Sequence, residues 1–329
     1  MTADGDGPVR DADAGDEAGR NSGGTPRGPP TVSELAASLT AAVRSRPPAE
    51  LALVFLPLPA LLVAVSLLPG SSAWRLSLAA EGVFESRWTL WTAFASSYVH
   101  TTTTHLVDNV VNYWLLLAVA YPLSVVAGWR RRLLYAALTY LSVVPIVSAW
   151  ATIVALGGLT NAPTAGFSDV NSAFLGYLVV VWFAALATET NGSGAVDRSP
   201  DGGLVGIDAR WAAVVALASL AVAYLVPSGA GYFPPLPAVG GLFAVAAVAV
   251  AAGLHAVAGR PRVVGLNLAP SRELLYVTGA SVAAAGVIGS MVLVPFGSNV
   301  FAHLAGYVVG FIVPFLAVIA DESSAAGSG

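Results

Sequence analysis

The stretch TAGFSDVNSAFLGY, Thr164–Tyr177, opens a long apolar segment and governs how the rest of the chain is read. Ser168 stands two residues after Gly166 and eight before Gly176. A serine at the entry of an apolar helix is common, and so is small-residue spacing such as Ala173 with Gly176 where helices pack closely in lipid. The stretch gains weight from elsewhere in the chain. Histidines open two other apolar segments at the same expected depth.

Composition sets the class. The chain has 329 residues, of which 56% are hydrophobic and 10% charged, and its mean hydropathy is +0.73. A soluble domain carries about 25% charged residues, so the expected fold class is an all-α polytopic membrane protein. No cysteine is present, which excludes disulfides, thiolate catalysis and Cys-ligated metals. The net charge of −4 leaves no nucleic-acid footprint.

Residues 1–47 are rich in Gly, Pro, Asp, Ser and Thr and carry few large apolar side chains, so a disordered tail is expected there. No basic n-region is followed at once by an apolar run, so the tail does not read as a signal peptide. The membrane domain is expected over 48–320, with a short polar tail at 321–329. At about 20 residues per span, eight apolar segments are long enough to cross: 51–69, 103–127, 133–157, 167–188, 210–227, 237–258, 274–295 and 300–320. The long first loop, 70–99, mixes Trp74, Phe84, Trp88, Trp91 and Phe94 with scattered charge, a pattern expected of a partly helical interfacial structure.

Arginines set the expected orientation. Arg44 and Arg46, Arg130 to Arg132, Arg198 and Arg210, and Arg260, Arg262 and Arg272 fall on alternate connections. The positive-inside rule puts these connections and both termini in the cytoplasm of a multi-pass cell-membrane protein. His100 and His105 then open the second span, Ser168 the fourth and His303 the eighth, all running from outside to inside. These groups are expected in one layer near the outer face.

Polar and ionisable groups inside spans are costly, roughly 2.5–3.5 kcal/mol each for charged residues on insertion scales, and mark functional hypotheses. On the second span His105, Asn109 and Asn112 are expected on one face, with Asp108 near it and His100 at the helix entrance. On the last span Gly306 and Gly310 follow His303 on one face as a GxxxG step. Such a face packs closely against a neighbour. If that neighbour is the Ser168 helix, turning Ala173 and Gly176 toward it, His303 reaches the serine hydroxyl. Serine is a poor nucleophile until a base within about 2.6–3.2 Å takes its proton. His105, Asn109 and the Ser168 backbone N–H would supply donors to an oxyanion.

The H-x4-H-x3-N pattern at His100, His105 and Asn109, the G-x-S at Gly166 and Ser168, and A-H-L-A-G-x-x-x-G around His303 together resemble the rhomboid intramembrane serine proteases. The resemblance covers roughly residues 50–320. It implies a rhomboid-like bundle of six core helices plus two extra. It implies a Ser168–His303 dyad with no acidic third member and no cofactor, and oxyanion stabilisation by His105 and Asn109 with His100 in support. The implied partners are transmembrane protein substrates and the lipid bilayer. Two positions depart from the family pattern. Asp169 stands where glycine usually follows the serine, and Ser172 stands where an aromatic often packs on the catalytic histidine. Both favour the alternative of a rhomboid-like pseudoprotease that binds membrane helices without cleaving them. A three-histidine zinc site at His100, His105 and His303 is a third reading, without an HExxH motif behind it. His255 is given no role.

Overall fold

The computed structural model describes residues 47–192, 207–230, 233, 235–258, 268 and 270–327. The expected tail at 1–47 lies outside these residues except for Pro47. Ten α-helices are described: α1 (Pro48–Phe55), α2 (Pro57–Leu67), α3 (Arg87–Ala95), α4 (Thr103–Val126), α5 (Arg130–Leu156), α6 (Ser168–Gly192), α7 (Trp211–Leu225), α8 (Pro237–Ala258), α9 (Pro270–Met291) and α10 (Val300–Gly327). Among the described residues seven spans are long and apolar enough to cross a membrane, with α1 and α2 together forming the first. The protein is thus a multi-pass helical membrane protein.

Two of the expected spans are built differently from a continuous helix of about 20 residues. The first span is broken at Leu56, ahead of Pro57 and Pro59, because proline in a helix interior removes a hydrogen bond and clashes with the preceding turn. The segment expected to cross at 210–227 forms only the 15-residue α7. Such a helix rises about 22 Å, less than the ~30 Å hydrocarbon core, yet it carries the chain to the serine end of the bundle, where Gly229 N–H bonds to Val292 O and Gly297 N–H to Ala230 O. Its end is set by Pro227, which favours extended backbone at the residue before it. Val226 accordingly has φ −97° and ψ 131°. At the other end, α10 carries helix into the expected tail, over Val300–Gly327 among the described residues.

α6 is the central post. Most of its side chains are buried, including Val170, Ala173, Phe174, Leu175, Tyr177, Leu178, Val180 and Val181. α4, α5, α9 and α10 pack around it, and α7 pairs chiefly with α8. The closest approach is between α6 and α10. A Cβ placed on Gly306 would overlap the Asp169 carbonyl, and one on Gly310 would overlap the Ala173 backbone. From the other side, a Cβ on Gly176 would overlap the α10 backbone at Tyr307 and Gly310. The Tyr140 hydroxyl of α5 donates to Gly310 O at 2.8 Å and pins the same contact. Backbone-to-backbone packing of this kind is what small residues permit in lipid, where no hydrophobic force drives helices together.

The bundle has two chemically different ends. Interhelical ion pairs gather at one: Glu50 with Arg130, Arg132 with Asp321, and Glu189 with Arg272. Ser168 and His303, at the starts of α6 and α10, sit at the other. The first loop lies over that second end as a short 3-10 turn at Ser71–Trp74, α3, and a second 3-10 turn at Ser96–Tyr98. Its apolar residues Leu76, Leu78, Val83 and Ala93 make a small core with Ala149, Ile153 and Leu156 of α5.

Candidate active site

The backbone just ahead of Ser168 is held at several points. Leu76 and Thr164 exchange two hydrogen bonds, Leu76 N–H to Thr164 O at 3.1 Å and Thr164 N–H to Leu76 O at 2.9 Å. Gly166 then turns with φ +132°, a region open to glycine and strained for other residues, and donates its N–H to Ser96 O at 3.0 Å. The side chains flanking the serine are both buried. Phe167 packs on Tyr98 and Tyr113. Asp169 accepts from Ser97 Oγ at 2.7 Å, Ser148 Oγ at 2.5 Å and the Val170 N–H at 2.8 Å. Ser168 is left half-buried between them, facing α10.

His303 is brought to the serine by α10. Asn299 precedes that helix and caps it, accepting the Ala302 N–H at 3.2 Å, while its amide nitrogen donates to Thr152 Oγ1 at 2.8 Å. His303 is buried, and its Nε2 lies 2.8 Å from Ser168 Oγ. Its Nδ1 lies 2.6 Å from the Ser290 carbonyl oxygen of α9. A carbonyl oxygen only accepts, so Nδ1 carries the proton and Nε2 presents its lone pair to the serine hydroxyl. That is the tautomer a general base requires.

α4 supplies the third wall. The Thr102 side chain caps it by accepting the His105 N–H at 3.1 Å. The His105 ring lies against Gly166, where a Cβ would overlap it, and Gly166 stands two residues before Ser168. Asn109 is buried one turn further along. Its Nδ2 donates to His105 O at 3.0 Å. Asn171 of α6 donates to Asn109 O at 3.0 Å and to Oδ1 at 3.2 Å. The His100 ring stands 5.2 Å from that of His105. It lies outside the spans, and burial, with His105 beside it, pushes it down to about 4.

All six expected site residues, His100, His105, Asn109, Gly166, Ser168 and His303, therefore meet at one end of the bundle. The expected polar face of α4 is narrower than supposed. Asn109 is buried, whereas Asp108 and Asn112 are exposed, because the buried arc of α4 continues through Val110 and Tyr113. Asp169 neither faces the serine nor turns to water. Ser172 donates its hydroxyl to Ser168 O at 2.8 Å and contributes no ring against His303. Among the described residues no group of three His, Asp or Glu could hold a metal ion.

Sequence reading missed Asn171, Asn299, Ser97, Ser148 and the Ser290 carbonyl. Asn299 carries a usable signal, an N-cap residue directly before an apolar helix. Asn171, a buried amide in an apolar span, carries another. The two serines and the carbonyl carry none. Comparison of the chain with protein-family models, with curated proteins and with solved structures returns no match.

Proposed function

We propose that the chain is a serine endopeptidase of the rhomboid type, which hydrolyses peptide bonds in or near transmembrane segments of other membrane proteins. The observation that carries this reading is the 2.8 Å contact between Ser168 Oγ and His303 Nε2 inside a helical membrane bundle. Ser168 Oγ attacks the substrate carbonyl carbon while its proton passes to Nε2. The oxyanion forms at the N-terminal end of α6, where the Ser168 N–H precedes the first i-to-i−4 bond, Asn171 N–H to Phe167 O. His105 and Asn109 flank that position. One oxyanion donor is typically worth 10²–10³ in rate. His303 then returns the proton to the leaving amine, and water repeats the attack on the acyl-enzyme.

A substrate helix has to unwind locally, because its backbone carbonyls are shielded while helical. The site lies at the end of the bundle remote from the arginine ion pairs, which supports cleavage near the outer face with both termini in the cytoplasm. The helix-binding alternative drew on Asp169 as a charge that would repel the oxyanion. Asp169 is held by Ser97 and Ser148 on the far side of the α6 entry, which weakens that objection.

Labelling of the detergent-solubilised protein with a fluorophosphonate, beside Ser168→Ala and His303→Ala, tests the proposal. It expects labelling of the wild type and none of either variant. A folded wild type that stays unlabelled would overturn it and move the helix-binding reading ahead.

A further inference from the structure

In a serine triad the far nitrogen of the histidine is held by a carboxylate. Here that nitrogen meets a main-chain oxygen. Ser290 lies in the last turn of α9, where carbonyls have no intrahelical partner. One of these, Ile288 O, is taken by the Val292 and Leu293 N–H groups at 2.9 and 2.8 Å. Ser290 O instead receives the His303 ring at 2.6 Å.

We propose that the C-terminal end of α9, through the Ser290 carbonyl, is the positioning group of the dyad. It holds His303 as the Nδ1–H tautomer and stabilises the imidazolium formed during proton transfer. This rests on the protease reading for its catalytic meaning. The physical argument has three parts. The carbonyl can only accept, which leaves Nε2 as the base. His303 is buried, so a transient cation there lacks water and needs a compensating dipole. A helix C-terminus supplies one, equivalent to roughly −0.5 charge.

The proton balance is simple. As the Ser168 Oγ–carbon bond forms, the hydroxyl proton moves to Nε2 while Nδ1 keeps its own. As the peptide C–N bond breaks, the Nε2 proton leaves with the amine and the ring is neutral again. The carbonyl stabilises the cation only between those events, when the stabilisation counts toward rate. Ser172 supplies no aromatic plane against the ring, and hydrogen bonds at both nitrogens hold it instead. α9 also packs on α4, α6 and α10, so the end of one helix registers all three walls of the site.

The test replaces single backbone amides by esters in full-length protein. An ester at Met291 weakens the Ser290 carbonyl as an acceptor. An ester at Ser290 removes an equivalent helical N–H but weakens only the Gly289 carbonyl, and serves as the matched control. Nitrogen-15 NMR of labelled histidine reads the His303 tautomer, and fluorophosphonate labelling reads the rate. The Met291 ester is expected to move the Nδ1–H proton resonance upfield and to slow labelling about tenfold, the control ester to do neither. An Nε2–H tautomer, or equal slowing by both esters, in a protein that labels would overturn this inference alone. The Nδ1–H tautomer in a wild type that never labels would overturn the catalytic role and the protease reading together.

Discussion

At Gly166 two constraints coincide, a φ of +132° and the His105 ring in the space a side chain would fill. Gly166→Ala is therefore expected to displace His105 and cut fluorophosphonate labelling at least tenfold; unchanged labelling would show that His105 has no part in the site. Asp169 is a different case, because its carboxylate is structural in this geometry. Asp169→Gly strands the buried Ser97 hydroxyl, an unsatisfied group worth about 1–3 kcal/mol, and leaves Ser148 with only the Pro145 carbonyl. A lower unfolding temperature with no gain in labelling is expected, and faster labelling would show that the carboxylate repels the oxyanion after all. His100 adds a pH dependence. Its folded value near 4 lies below the ordinary 6.5, so the fold favours neutral His100. Its contribution is fully present above pH 6.5 and lost as pH falls from 6.5 through 4. His100→Gln should flatten that part of a melting-temperature-against-pH curve, and an unaltered curve would assign the titration elsewhere.

Helix contacts decide whether the dyad forms at all. Ser168 and His303 meet because α6 and α10 approach until their backbones touch at Gly306, Gly310, Ala173 and Gly176. A side chain at Gly310 has nowhere to go, since the obstacle is backbone. Gly310→Val is expected to cost about 1–3 kcal/mol from overpacking and to abolish labelling by separating serine from base. Gly289→Ala, which would meet nothing within 4 Å, is the matched control and should melt and label as wild type. Equal behaviour of the two variants would remove the close approach from the account of the site. Proline acts at this scale as well: Pro57 breaks the first span, and Pro227 ends α7 at 15 residues.

Over the whole molecule, segregation of charge is the organising feature. Ion pairs of Arg130, Arg132 and Arg272 tie α1, α5, α6, α9 and α10 together at one end, and His100, His105, His303 and Ser168 occupy the other. The positive-inside rule turns this polarity into an orientation. Because the chain has no cysteine, single cysteines can be read without background. In intact cells a membrane-impermeant maleimide is expected to modify Glu85→Cys in the first loop and to spare Arg131→Cys. The opposite pattern would invert the topology and put the site at the inner face. Hydropathy alone made most of this architecture legible, because a span is a local property of about 20 residues. At 210–227 it overran the helix, because apolar composition continues up to Pro227 while α7 ends at Leu225.

By itself the sequence determined the membrane class, the position of most spans and the shared layer of His100, His105, Ser168 and His303. Those follow from composition, span length and parity, all carried by short windows of chain. Only the tertiary structure decided which way the residues around Ser168 point. Asp169 turns inward because Ser97 and Ser148, far away in sequence, present hydroxyls there. His303 takes its tautomer from a carbonyl whose partner no side-chain pattern encodes, since a backbone oxygen is common to every residue. A hydrogen bond needs two groups placed within a few tenths of an ångström. Placement at that precision belongs to the packed bundle and is absent from any single segment.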